Sequence, residues 1–166
     1  MILLIIFLLL GNSLYADAVT QIEAQAADYD GKKIRLSGGV HIMHEFGEIS
    51  CDRGVMLLTE NMAKRATPGR ILLYGAVEIK LHDGSILTSE EADINCQTLE
   101  GVFTAQAPQK VIYLTRLSEG DRTVPVKTIS RAMRVHMKKS DGPKSEYIIR
   151  DVQAEGAVNI EYLNGL

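Results

Sequence analysis

Apolar and polar residues alternate over short runs along most of the chain after residue 30. Residues 33–42 and 71–81 carry an apolar or glycine residue at every second position with largely polar ones between, and residues 133–137 repeat the pattern. A period of two is typical of a strand with one buried and one solvent-facing side. The pattern therefore predicts an all-β fold.

Turn residues separate these runs at regular intervals. Asp30-Gly31, Asp83-Gly84 and Asp141-Gly142 are examples, and the four prolines lie in or beside such breaks. Aspartate and glycine tolerate the backbone angles of tight hairpins, and proline is tolerated where no ladder hydrogen bond is lost. Little room is left for a helix, and the best candidate is a short amphipathic turn over residues 19–27.

A weak internal repeat, G-[GA]-V-x-I, occurs at residues 38–42, 75–79 and 156–160, with a degenerate copy near residues 107–111. A glycine inside a strand weakens the ladder unless the backbone bends or approaches another element closely. We therefore predict a bend or a close backbone approach at the first glycine of each clear copy. Repeated hairpins of this kind stack into a two-sheet roll, the alternative being a plain β-sandwich with coincidental glycines.

The N-terminus has the features of a secretion signal. An uninterrupted apolar run extends from Ile2 to Leu10, and Ala16-Asp17-Ala18 follows as a small-x-small cleavage site. The run is shorter than the roughly 20 residues that span a bilayer. We predict a signal peptide over residues 1–18 and a single periplasmic domain over residues 19–166. The alternative is an uncleaved inner-membrane anchor formed by residues 2–10.

Composition narrows the range of partners. The formal net charge is −3 and tryptophan is absent. No basic field is present to attract nucleic acid, and aromatic platforms for sugars or bases are scarce. We expect no nucleic-acid partner. A basic cluster at residues 131–139 favours a solvated strand face, with contact to lipid phosphates as the alternative.

Candidate catalytic and metal-binding groups are dispersed. His41 and His44 point to opposite faces of a strand, and there is no G-x-S-x-G elbow or phosphate-binding loop. The acids of residues 90–93 alternate with apolar residues, as on a solvated strand. We expect no enzyme activity, no metal and no cofactor. Cys51 and Cys96 should stay unpaired, because stacked repeats place them farther apart than a disulfide allows.

Several of these elements occur together in a recognisable order. Residues 27–29 (Ala-Asp-Tyr) precede the run at residues 36–42, a strand with a small residue at residues 47–51, and a second copy at residues 73–92. This succession resembles the OstA-like domain, which is shared by LptA, LptC and the N-terminal region of LptD. The resemblance extends over residues 26–96 and, more loosely, over residues 130–162.

The resemblance implies a twisted antiparallel β-jelly roll, or open two-sheet roll, with an apolar groove for the acyl chains of lipopolysaccharide. It also implies edge-to-edge assembly with other OstA-like domains in a periplasmic transport bridge. A membrane-anchored LptC-like component is the alternative within the family. Outside it, the alternative is a secreted carbohydrate-binding module or hydrolase on a β-sandwich.

An apolar groove needs no polar contacts, because each buried methylene contributes about 0.8 kcal/mol. The strands at residues 34–42 and 156–166 are expected to be exposed edges, so head-to-tail self-association is also expected. The alternative for each inward residue is that it simply fills a closed core. The alternation assigns the following lipid-binding residues to the groove: Leu36, Val40, Ile42, Leu73, Val77, Ile79, Ile86, Met133, Val135, Val158 and Ile160.

Overall fold

The computed structural model describes residues 5–6, 21–44, 47–60, 66–120, 122–139 and 147–163. In these residues the chain forms thirteen β-strands: β1 (Ile5–Ile6), β2 (Gln21–Glu23), β3 (Ala26–Tyr29), β4 (Lys33–His44), β5 (Gly47–Glu60), β6 (Ala66–Leu81), β7 (Ile86–Asn95), β8 (Glu100–Thr104), β9 (Val111–Glu119), β10 (Arg122–Ser130), β11 (Ala132–Lys139), β12 (Tyr147–Glu155) and β13 (Asn159–Tyr162). Within the described segments, no helix is long and apolar enough to cross a membrane.

All of these strands belong to one antiparallel sheet. Its main path runs β1-β2-β4-β5-β6-β7-β8-β11-β12, while β3 pairs with β4 and the group β9-β10-β13 branches from β7. The predicted all-β fold is confirmed. The predicted helical turn over residues 19–27 is wrong, because β2 and β3 lie there as strands against β4, and this tertiary pairing overrides the local amphipathic pattern.

The sheet bends along a line that crosses its long strands. In β4, residues up to Ser37 pair with β3 and residues from His41 onward pair with β2. In β7, residues 86–88 pair with β9 and residues 91–95 pair with β8. Between these two changes of partner, the pairings of β4 with β5, β5 with β6 and β6 with β7 each carry an irregularity in register. We call the line through residues 38–39, 51–52 and 75–76 the crease.

The crease divides the sheet into two halves. The first half contains β2, β9, β10 and β13, the second contains β3, β8, β11 and β12, and β4 to β7 cross from one half to the other. The passages from β8 to β9, from β10 to β11 and from β12 to β13 lie on the same line. At one of them, the Arg131 amide donates to the carbonyl oxygens of Glu155 and Gly156.

The repeated glycines produce the crease. Gly38, Gly75 and Gly156 all have positive φ, and each is followed by a second residue with positive φ. The predicted bends are therefore confirmed. At the second and third copies that residue is alanine: Ala76 has a φ of 45° and Ala157 a φ of 56°. Left-handed backbone is costly for alanine, so the bend is imposed by the surrounding sheet.

The two halves pack against each other through one apolar core. Ile49 and Leu87 from the first half meet Phe103 and Val135 from the second half. The space left between them is about 20 Å³, roughly the room that one water molecule occupies. In the described residues, the interior is therefore filled by side chains.

The strand edges differ from expectation in one place. The prediction that residues 34–42 form an edge strand is wrong, because β4 is flanked by β5 on one side and by β2 and β3 on the other. The strand that begins after residue 156 matches its prediction, because β13 pairs only with β10 in the described part of the chain.

The predicted signal peptide lies largely outside the described residues. Of residues 1–18, only Ile5–Ile6 is described, as the short strand β1 paired with β2. The predicted cleavage site at residues 16–18 is outside the description.

Candidate functional site

Most of the predicted groove-lining residues lie in the closed core. Leu73 is fully buried, and Val77 is nearly so. They pack with side chains from both halves in one cluster, and the gap beside Ile79 and Val135 is only about 20 Å³. The predicted residues that the structure buries in this way are Leu36, Val40, Ile42, Leu73, Val77, Ile79, Met133 and Val135.

Ile86 lies on the opposite face from its prediction. Its neighbour Leu87 is buried and pairs with the buried Ile79, so Leu87 takes the inward position. The pattern misled because Ser85, a polar residue, also points inward, where its hydroxyl lies 3.1 Å from the hydroxyl of Thr115. A buried serine that is hydrogen-bonded is tolerated in a core, and hydropathy alone does not reveal it.

The remaining two predicted residues, Val158 and Ile160, are exposed, with 47% and 57% of their surface accessible. Ile160 lies opposite Thr128, and Tyr162 lies opposite the buried Val126. Cross-strand partners share a face of the sheet, so Ile160 and Tyr162 belong to the inward face although nothing in the described residues covers them.

These side chains form an apolar strip where the inner face reaches solvent. Ile160 and Tyr162 of β13, together with Leu117 of β9 on the same face, have large exposed areas. We call these three residues the seam. Ile160 and Tyr162 lie at the end of the folded sheet, where β13 is the last strand of the first half and β12 is the last strand of the second half, and Leu117 lies two strands further in, on β9. Tyr162 was missed from the sequence, although its period-two spacing from Ile160 could have indicated it.

Comparison of the chain with protein-family models, with curated proteins and with solved structures gives no match. What the chain does is therefore inferred from its own residues and their geometry.

A histidine ties the end of the second half together. His136 of β11 lies with Nδ1 2.7 Å from Asp151 Oδ1 of β12 and with Nε2 2.9 Å from Glu100 Oε1 of β8. The pKa of Asp151 is lowered, first by the hydrogen bond from Arg150 and then by His136. This bridge joins the three neighbouring strands β8, β11 and β12 on the outer face of the second half.

The basic cluster at residues 131–139 lies on and beside β11. Arg134 is exposed, and its neighbours Met133 and Val135 are buried, so the arginine faces outward. Lys139 lies with its Nζ 5.5 Å from the ring centroid of Tyr147. Arg134 and Lys138 thus lie on an outer strand face, as the favoured interpretation of the sequence held. Lys139 is exposed too, but it pairs with the buried Tyr147 after the register shift at residues 136–137, so it lies at the edge of the inward face.

Two of the acids of residues 90–93 have separate structural partners, and the third, Glu91, is exposed. Asp93 forms a two-point ion pair with Arg70 on the adjacent strand β6. Glu90 accepts a hydrogen bond from the backbone amide of Gln106. Over the described ranges, no group of three or more histidine, cysteine, aspartate or glutamate side chains is arranged to hold a metal ion.

Both cysteines are free, as predicted. Cys51 lies buried at the crease and donates from its thiol to the backbone oxygen of Arg53. Cys96 follows the far end of β7, where its amide donates to the Gly69 carbonyl. Burial raises the pKa of each thiol to about 11, so both side chains are poor nucleophiles near neutral pH.

Proposed function

We propose that this chain is a periplasmic lipid-carrying scaffold of the OstA-like kind, not an enzyme. In this proposal it takes part in lipopolysaccharide transport to the outer membrane and holds acyl chains between the halves of the folded sheet. The sheet would then be the twisted jelly roll that the sequence resemblance implies. The observation that carries the proposal is the seam, an apolar inner face that reaches solvent at one end of the fold.

The seam suits an acyl chain better than a polar ligand. Ile160 and Tyr162 expose apolar area on the side of the sheet that is elsewhere packed as core. An alkyl chain lying on them gains about 0.8 kcal/mol for each methylene that leaves water. Summed over many methylenes, such a contact is strong, and it does not require a particular head group.

An acyl chain can enter more deeply only if the two halves of the sheet separate. The residual space of about 20 Å³ between Ile49, Phe103 and their neighbours is far too small for an acyl chain. Separation would begin at the end between β12 and β13, because in the described part of the chain β13 pairs only with β10 and its inward side chains are exposed. Opening from there would expose Val135 and then the other buried residues predicted to line the groove.

Assembly follows from the same geometry. At one end of the folded sheet β12 and β13 each have one described neighbour, and at the other end β3 pairs only with β4. Strands with unpaired backbone groups accept another strand. A second copy, or another OstA-like domain, docked on β13 would continue the sheet and join the apolar inner faces.

Export is supported by the predicted signal peptide at residues 1–18 and by its small-x-small site. A membrane-anchored LptC-like component is the alternative, in which residues 2–10 are retained. N-terminal sequencing of the mature protein distinguishes the two, since an intact Met1 means an anchor.

The test of lipid binding uses two adjacent residues on opposite faces of β13. Ile160 faces inward and Asn159 faces outward, and both are exposed. Ile160→Ser removes apolar contact worth roughly 1.5–3 kcal/mol, so binding of a fluorescent palmitate analogue and of lipopolysaccharide should weaken about tenfold or more. Asn159→Ser should bind as wild type does. Equal binding by both variants, with unchanged melting temperatures, would contradict the proposal.

A further inference from the structure

The outer face of the second half carries a cleft that the proposed function does not use. It lies beside the crease, across β3, β4, β5 and β6, and has a volume of about 450 Å³. Its lining includes the small residues Ala26 and Ser37, the larger side chains of Arg35, Arg53 and Tyr74, and Asp28, which pairs with Arg35. These residues are neighbours because strand register places Ser37 beside Arg53 and Arg53 beside Tyr74.

The two arginines of the cleft differ in their partners. Arg35 is neutralised by Asp28, with an N–O distance of 2.6 Å, and by Asp30 at 3.3 Å. Arg53 lies over the ring of Tyr74, with its guanidinium carbon 5.9 Å from the ring centroid. No described acidic residue forms an ion pair with Arg53, so its guanidinium N–H groups have no carboxylate partner there.

An arginine held against an aromatic ring has a defined orientation and keeps its hydrogen-bonding fork available. A guanidinium binds the oxygens of a carboxylate, sulfonate or phosphate in two-point geometry. The ring of Tyr74 and the side chain of Val55 supply an apolar wall beside it. The volume falls within the range of about 300–1,000 Å³ that is usual for small-molecule sites.

We propose that this cleft binds a small organic anion with an apolar body, its anionic group on Arg53 and its body against Tyr74 and Val55. The site is on the opposite face of the sheet from the seam. Binding of an anion in this cleft therefore does not depend on lipid binding. The bound anion would contact the strands that form the crease.

The experiment is an amide-resolved NMR titration of the full chain with naphthalene sulfonate, and with naphthalene sulfonamide as its neutral counterpart. Saturable shifts are expected at Ser37, Arg53 and Tyr74 with the sulfonate. The sulfonamide should bind at least about tenfold more weakly, since it lacks the charge that the guanidinium recognises.

Three variants locate the binding. Arg53→Gln should weaken sulfonate binding about tenfold, while Arg116→Gln, an exposed arginine on β9 in the first half, should leave it unchanged. Ile160→Ser should also leave it unchanged, because the seam is on the other face. Equal affinity of Arg53→Gln and wild type, equal binding of the neutral probe, or shifts confined to β9 and β13 would overturn the proposal.

Discussion

Replacing Gly75 by alanine perturbs the crease where β6 lies against the side chain of Asp52 on β5. Gly75 has a φ of 74°, and a Cβ built there would collide with the carboxylate of Asp52 on β5. Gly39 is the matched control. It has a φ of 75°, and a Cβ added there meets nothing within 4 Å. The two substitutions therefore share the backbone strain and differ in the collision.

The expected magnitudes follow from these two terms. Alanine in the left-handed region costs roughly 1–2 kcal/mol, and the less flexible unfolded chain offsets roughly 0.4–1 kcal/mol of this. Gly39→Ala should therefore lower the free energy of unfolding by about 1 kcal/mol. The exposed carboxylate of Asp52 can rotate away in part, so the collision adds about 1 kcal/mol, the lower end of the overpacking range, and Gly75→Ala should lower the free energy of unfolding by about 2 kcal/mol.

Urea denaturation followed by circular dichroism measures both values. The double variant Asp52→Ala with Gly75→Ala removes the colliding carboxylate and should recover most of the excess loss, which a double-mutant cycle quantifies. If Gly75→Ala is no more destabilising than Gly39→Ala, or if the double variant recovers no stability, then the inferred collision between a side chain at position 75 and Asp52 is wrong.

Two further predictions concern titratable groups. Burial raises the pKa of Cys51 and Cys96 to about 11. A thiolate-specific reagent at pH 8 should therefore label the folded protein slowly and the urea-unfolded protein fast. Fast labelling of the folded protein would refute this prediction. The pKa of Asp151 is lowered by Arg150 and His136, so its stabilising contribution is present above the ordinary value of about 3.9 and is lost as the pH falls through the folded-state value. Asp151→Asn should therefore lower the melting temperature at pH 7, and the difference from wild type should shrink in acid.

The elements of the fold were predictable where local pattern and sheet pairing agree. Period-two alternation predicted the strands β4, β6 and β11. The glycine repeat predicted the bends, because a glycine inside a strand indicates a special backbone conformation. The prediction for residues 21–29 was wrong because β2 and β3 form by pairing with other strands, chiefly β4. Such long-range pairing leaves no mark in a short amphipathic segment.

The candidate site was less predictable. The side chain of Ile86 was assigned to the wrong face because the inward positions beside it hold buried serines, Ser85 and Ser89, whose hydroxyls are hydrogen-bonded. The pattern also does not tell whether two apolar faces close on each other, since closure depends on how their side-chain volumes fit. The cleft around Arg53 and Tyr74 arises from cross-strand register, which short-range sequence does not fix.

The most direct test of the lipid-carrying proposal is site-specific photo-crosslinking to lipopolysaccharide. A photoreactive amino acid replaces Ile160 on the inward face of β13 in one protein and Asn159 on the outward face in another. If acyl chains lie on the seam, the probe at position 160 should form a lipid adduct by mass spectrometry, and the probe at position 159 should form little or none. Equal adducts at the two positions, or no adduct at position 160 in a folded protein, would contradict the proposal.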